Sequence, residues 1–201
     1  QDLMDAKGFS RPHILDMLNV KYVLTRKKIN NPNFIPLKDV PGVFQNINVL
    51  PKAWIVGNVK SVETQRESLM ETLLNGFDPS NTAIIFKYQG ESLEGMASGQ
   101  VDVISRTENK INIMSQSETG GLLVLSEIYY KPGWRAYVNG EETPVYQTNH
   151  ILRSIYVPSG EHQIEFRYDD SSWKQTRIVS RVSFLAILFG FGFILWKEKE
   201  N

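Results

Sequence analysis

Between residues 122 and 168 the sequence alternates short apolar-rich runs with turns of recognisable chemistry, and few folds accommodate that pattern. Residues 122–130 (LLVLSEIYY) begin apolar on both pleat faces, as a strand covered on both sides should. Lys131-Pro132-Gly133 interrupts them. Proline pre-sets φ at one turn position and glycine tolerates φ > 0 at the next, which predicts a type II turn. Residues 134–138 then alternate, with Trp134, Ala136 and Val138 on one face and Arg135 and Tyr137 on the other. Asn139-Gly140 predicts a two-residue hairpin. A strand over 143–147 contains Pro144, which suits a sheet edge. After a strand over 151–157 and a turn at Pro158-Ser159-Gly160, His162, Ile164, Phe166 and Tyr168 alternate with Gln163, Glu165 and Arg167. The expectation is a mainly β chain built on an antiparallel, jelly-roll-like β-sandwich.

The remainder is read around that block. Residues 1–19 predict a short opening helix with Ser10 as N-cap, Pro12 in the first turn and Ile14, Leu15 and Leu18 on one face. Strands over 20–25, 43–47, 53–59 and 82–88 surround a helix over 64–74. Leu69, Leu73 and Leu74 line that helix, and Asn75-Gly76 reads as its left-handed stop. Residues 20–98 are therefore expected to form a small α+β lead-in, separate from a sandwich over 99–176. The cluster Arg26-Lys27-Lys28 reads as a solvated loop, with a lipid-headgroup contact as the alternative.

Residues 178–196 (IVSRVSFLAILFGFGFILW) are apolar almost throughout. As a helix they reach about 28 Å at ~1.5 Å per residue, close to the ~30 Å of a bilayer core. A transmembrane helix is expected over 177–197, with Arg181 snorkelling, Trp173 and Trp196 at the interfaces, and 198–201 as a charged tail. Lys and Arg before this helix favour the cytoplasm for the sandwich, unless earlier helices set the orientation. The chain begins at Gln1 without a signal peptide and reads as a portion of something longer.

Charge and chemistry narrow the function. Lys+Arg and Asp+Glu both number 22, so no strongly basic face for nucleic acid is expected. With no cysteine there are no disulfides and no thiolate metal sites. No catalytic constellation, metal site or cofactor is expected. His13 lies in the opening helix, His150 in a solvated turn, and His162 on the apolar face of its strand as a satisfied histidine. Asp169-Asp170 reads as a solvated turn rather than a calcium site. Glu127, in an otherwise apolar strand, is expected at an edge or paired with Arg135 across the hairpin. The aromatics give the one binding expectation. Tyr130, Tyr137 and Trp134 are the candidate ligand-binding residues, since sugar rings stack on flat apolar faces. For Trp134 a place in the core beneath the Pro-Gly turn is preferred.

Several segments together resemble a known family. Leu18 to Leu24 (LNVKYVL) resembles the LNVKYV segment of the bacterial YfhO-type membrane proteins. Val43-Phe44-Gln45-Asn46 with Leu50-Pro51-Lys52-Ala53 resembles a second pair of motifs, with Phe44 where tyrosine is usual and Lys52 where arginine is usual. Ser126-Glu127, Pro132-Gly133-Trp134 and Asn139-Gly140 resemble a third block, in which Asn139 replaces the common aspartate and Lys131 is an insertion. Gly160-Glu161-His162 with Phe166 and Tyr168 resembles the last strand before a final membrane helix. The resemblance implies a multi-spanning protein of the GT-C glycosyltransferase type. Such proteins transfer sugar from a lipid-phosphate donor to envelope polymers such as lipoteichoic acid. Their catalytic acidic residue lies in an early extracytoplasmic loop that this chain does not include, so no catalytic residue is carried over.

The expectation is thus a non-catalytic extracytoplasmic C-terminal domain of a membrane glycosyltransferase-like protein in the bacterial cytoplasmic membrane. Its partners would be the membrane, the rest of the parent protein and an envelope glycan. A membrane-anchored carbohydrate-binding module and a structural envelope domain without ligand are the alternatives.

Overall fold

The computed structural model describes residues 4–5, 8–90, 93, 95, 97 and 99–199. In chain order the elements are β1 (Met4–Asp5), β2 (Gly8–Phe9), α1 (Pro12–Met17), β3 (Tyr22–Leu24), β4 (Phe34–Pro36), β5 (Val43–Asn46), β6 (Ala53–Val56), β7 (Asn58–Val62), α2 (Gln65–Thr72), β8 (Thr82–Phe86), β9 (Gly99–Arg106), β10 (Lys110–Ser117), β11 (Gly121–Ile128), β12 (Trp134–Val138), β13 (Glu141–Thr143), β14 (Tyr146–Thr148), β15 (Leu152–Val157), β16 (Gly160–Tyr168) and α3 (Ser171–Lys199). Gln1–Arg167 forms one compact unit and Tyr168–Asn201 a second.

Two sheets pack face to face. One has the order β13-β12-β16-β10-β9, the other β6-β11-β15-β14-β8-β7. Between them lie Ile111, Ile113, Ala136, Ile164 and Phe166 of the first sheet and Ile55, Leu123, Leu125, Ile155 and Val157 of the second. Burying a side chain of this size contributes roughly 1.5–3 kcal/mol. The mainly β, antiparallel expectation is met, although β7 and β8 run parallel, Asn58 opposite Thr82 through Val62 opposite Phe86.

The six-stranded sheet has a second covered face, which explains why β11 is apolar on both sides. Leu122 and Val124 point away from the sandwich core, to pack with Trp54, Val56, Ile85, Leu152 and, from α1, Ile14 and Met17. The lead-in is therefore not separate from the sandwich. β6 pairs directly with β11, Leu123 opposite Ile55, and β8 joins β14 through Ile85 and Thr148. Strand pairing between distant segments leaves no local signature, which is why the sequence alone suggested a boundary at 98.

Both short helices differ in detail from expectation. Arg11, not Ser10, occupies the N-cap of α1, and Asp16 is buried with Ile14 and Met17. Helix α2 is capped by Thr64, whose side chain accepts from the Glu67 N–H. It buries Ser68 and Thr72 rather than Leu69 and Leu74, which are exposed. Leu73 still packs on the core. Thr72 Oγ1 donates back to the Ser68 carbonyl, so the buried hydroxyl is satisfied within the helix. The helix ends on Leu73 in the right-handed region, without the expected left-handed stop.

The turns follow their residues in most places. Asn139 and Gly140 have φ of 51° and 88°, both positive as a type I′ hairpin requires, and Val138 faces Glu141 across it. Gly133, by contrast, is not among the positive-φ residues, so the 131–133 turn is not type II. The strand expected over 143–147 is two strands. β13 is the edge of the five-stranded sheet, β14 is interior to the six-stranded one, and the chain passes between sheets at Pro144-Val145. Proline lacks an N–H to donate to a ladder and so suits the crossing.

Helix α3 runs 29 residues without interruption. Asp169 Oδ1 accepts from the Ser171 N–H, and Asp170 pairs with Lys174 at 2.8 Å, so Asp169-Asp170 is a helix-opening turn. Among the described residues no helix is long and apolar enough to cross a membrane, so the crossing helix expected over 177–197 is not borne out by them.

Candidate functional site

The outer face of the five-stranded sheet carries a polar and aromatic groove. Strand alternation puts Ile111, Ile113, Ile164 and Phe166 inside, which turns Asn112, Met114, Gln163, Glu165 and Arg167 outward. Register aligns them in rows: Asn112 lies between Ser105 and Glu165, and Met114 between Asp102 and Gln163. With Ile104 and Tyr137 they line a groove of about 750 Å³.

Its charges are organised around Glu165. Lys110 Nζ lies 2.5 Å from Glu165 Oε2, and Arg167 Nε donates to Glu165 Oε1 at 2.7 Å. Lys110, then Arg167, hold this carboxyl below the usual carboxylate range, and Glu165 in turn raises Arg167. Glu165 is thus an ionised acceptor, not a proton donor, at neutral pH. The Arg167 guanidinium lies over the Tyr137 ring at 5.0 Å and covers one of its faces. At the far end Asn139 Oδ1 accepts from the Gln163 N–H, which fixes its amide. Its Nδ2 then donates to His162 Nδ1 at 2.9 Å. His162 Nε2 meets the Ser159 carbonyl at 3.1 Å, so Nε2 carries the proton. His162 is a satisfied, half-buried histidine, as its phase in the strand suggested.

The three candidate aromatics do not share a surface. Tyr137 lines the outer groove, half-buried. Trp134, on the opposite face of β12, packs against the core and walls a second groove of about 420 Å³ with Pro132, Glu142 and Pro144. Tyr130 is exposed and lines neither groove.

Glu127 does not pair with Arg135. It lies 2.8 Å from both Lys52 and Arg106, with Arg153 at 3.9 Å, while Arg135 donates to Glu142 at 2.8 Å across the hairpin. Arg153 was missed by the sequence reading. Its phase with Ile155 and Val157, both inward, was the available signal. Burial pulls its pKa down to about 10, Glu127 opposes that shift and Arg106 adds to it.

The other histidines are structural. His13 Nε2 meets the Thr72 carbonyl at 3.1 Å and its ring packs edge-on to Phe77. His150 is half-buried rather than solvated, with its carbonyl accepting from Gln147 Nε2. Among the described residues no group of three His, Asp or Glu side chains could hold a metal ion.

The groove and its sheet fall inside the segment that has a recognisable relative. The family model described as bacterial membrane protein YfhO matches residues 89–180, which holds every strand of the five-stranded sheet and the first turns of α3. No curated protein and no solved structure matches the chain. Residues 89–180 thus match the family of bacterial membrane proteins YfhO.

Proposed function

We propose that this chain is a membrane-tethered, non-catalytic module of a YfhO-type protein, and that the outer face of its five-stranded sheet holds a glycan of the cell envelope. The observation that carries this reading is the outer groove. Apolar side chains, Ile104 and Met114 on one flank and Tyr137 on the other, stand around side chains that donate and accept hydrogen bonds (Asn112, Gln163, Glu165, Arg167). A pyranose offers that pairing, with C–H faces for the apolar flanks and hydroxyls for the polar row between them. Arg167 already covers one face of Tyr137, so the sugar packs against Ile104, Met114 and the Tyr137 ring edge, or displaces the guanidinium.

Helix α3 supplies the tether. Its side chains from Ile178 to Phe191 are exposed around the whole helix, and most are large and apolar. Read with the sequence of 193–195, the apolar run continues to Trp196. Such a surface is at home in lipid rather than water. The resemblance to GT-C-type glycosyltransferases supports an extracytoplasmic position for the sandwich and a catalytic centre elsewhere in the parent protein.

The test is saturation-transfer NMR of the full chain in nanodiscs against envelope glycans. Signal that is lost in Tyr137→Ala and Gln163→Ala but kept in Tyr130→Ala supports the reading. Absence of signal for every envelope glycan leaves a structural domain without ligand.

A further inference from the structure

The three-stranded sheet, ordered β3-β5-β4, lies outside the family-matched segment and presents an unusual outer face. Register places Tyr22, Gln45 and Ile35 in one row and Leu24 beside Val43 in the next. The opposite face turns Phe34 and Asn46 inward, at 3% and 1% exposure. Apolar side chains therefore occupy the solvent side: Leu24 is 77% exposed, Ile35 50% and Tyr22 47%. An ordinary surface strand would put polar residues there.

Positive residues flank the strands of this sheet. Residues 21–40 contain Lys21, Arg26, Lys27, Lys28 and Lys38 against the single carboxylate Asp39, in a chain whose net charge is zero. None of the five makes an ion pair among the described residues. Their position is built into the fold. The Thr25 N–H donates to the Gly42 carbonyl at 2.8 Å, Thr25 Oγ1 accepts from the Lys27 N–H at 3.0 Å, and Ile29 anchors the return at 7% exposure. Gly42, at φ +80°, leaves room for this turn, since a Cβ there would stand 3.1 Å from the Thr25 carbonyl oxygen.

We infer that this face docks on the surface of an anionic lipid bilayer. Leu24, Ile35 and Tyr22 enter the boundary between headgroups and acyl chains, while the Lys and Arg side chains reach lipid phosphates. A soluble polyanion would use the charges and leave the apolar row in water; the bilayer takes both. The inference rests on the tethered reading above, which brings the module to a membrane.

The chain has no cysteine, so Leu24→Cys gives a single labelling site for an environment-sensitive fluorophore. Glu108→Cys, in the β9–β10 turn, serves as control. The labelled full chain is placed in nanodiscs of phosphatidylcholine alone or with phosphatidylglycerol, each with spin-labelled lipid as quencher. Co-elution with the nanodisc reads the tether, and quenching reads the face. The expected result is several-fold quenching at position 24 in the anionic discs and little at position 108. It should be lost in K27E/K28E. Equal quenching in neutral discs, or quenching that survives the charge reversal, would overturn the inference. So would binding of soluble polyphosphate with no lipid quenching. If the chain fails to co-elute, the tether reading fails. The same labelled protein added to phosphatidylglycerol vesicles then tests the face alone: a blue shift upholds it and none rejects it.

Discussion

The guanidinium of Arg153 lies 4.3 Å from the centre of the Trp134 ring, within the sandwich and with Phe166 5.8 Å away. Arg153 is 2% exposed, and its Nε and Nη1 have no hydrogen-bond partner among the described residues. The aromatic faces and the nearby carboxylate of Glu127 are what offset the loss of water around this cation.

Removing Glu127 and removing Arg153 should therefore have unequal effects. In Glu127→Gln the buried guanidinium keeps no counter-charge and joins Lys52 and Arg106 as an uncompensated group, at a cost of roughly 2–4 kcal/mol. In Arg153→Met, Lys52 and Arg106 still neutralise Glu127 and the side-chain volume is nearly kept, so the change should stay under about 1.5 kcal/mol or favour the variant. Urea denaturation of both variants decides this; equal losses would mean that Glu127 and Arg153 are not coupled in this way.

Arg153 also predicts an alkaline effect. Its folded pKa of about 10 lies below that of an ordinary arginine, so above pH 10 the unfolded chain binds more protons than the folded one. Stability from this group then rises with pH. Wild type should gain on Arg153→Met as pH is raised past 10, measured as the difference between their denaturation midpoints. A difference that stays flat from pH 9 to 11 would contradict the burial argument.

Much of the sandwich was legible because it is written in short-range patterns. Alternation placed Trp134, Ala136 and Val138 on the core face of β12, and Asn139-Gly140 set its hairpin. The polar row Gln163, Glu165, Arg167 was visible as the other half of the β16 alternation, although nothing in it announced a groove. That required knowing that β10 and β12 flank β16, a matter of long-range pairing. The same limit hid the partners of Glu127. Arg135 was near in sequence, yet Lys52, Arg106 and Arg153 arrive from three other strands or their flanks. Leu69 and Leu74 misled for a different reason. Helix α2 docks through Ser68, Thr72 and Leu73, whose hydroxyls and single leucine give only a faint apolar stripe.

Gly57 separates β6 from β7 at a point of close backbone approach. A Cβ there would lie 2.4 Å from both the Gly95 carbonyl oxygen and the Ala97 amide nitrogen. Backbone cannot rotate away as a side chain can, so Gly57→Ala should force a shift costing about 1–3 kcal/mol. Thermal unfolding followed by circular dichroism should show a lowered midpoint; an unchanged midpoint would show that the 95–97 segment yields freely.

Helix α3 offers a direct check of the tether. Leu188 is exposed within its apolar run. If α3 is the proposed tether, an arginine amid its apolar surface opposes burial in lipid, by up to about 2.5–3.5 kcal/mol at bilayer-core depth. Leu188→Arg should therefore shift the chain from the membrane fraction to the soluble fraction on flotation, whereas Lys174→Ala, near the start of the helix, should not. Flotation of Leu188→Arg at the wild-type level would remove α3 as the anchor.

Asp16 ties the opening helix to β5 at a cost that depends on pH. Its Oδ1 accepts from Asn46 Nδ2 at 2.7 Å, and Asn46 Nδ2 also reaches the Val20 carbonyl at 3.1 Å. Burial raises the Asp16 pKa above its ordinary 3.8, with the Asn46 hydrogen bond and the neighbouring His13 pulling the other way. Just above pH 3.8 the folded chain thus holds a proton that the unfolded chain has released. Stability from this group consequently falls as pH rises through that window, and at neutral pH the buried charge opposes folding. Asn at this position keeps an oxygen to accept from Asn46 but carries no charge. Asp16→Asn should lie closest to, or below, wild type in stability near pH 4 and gain on it as pH rises toward 7. Denaturation midpoints taken at intervals across that range give the slope. A slope of the opposite sign would mean that Asp16 is stabilised as a carboxylate, and that the amide of Asn46 outweighs the loss of water.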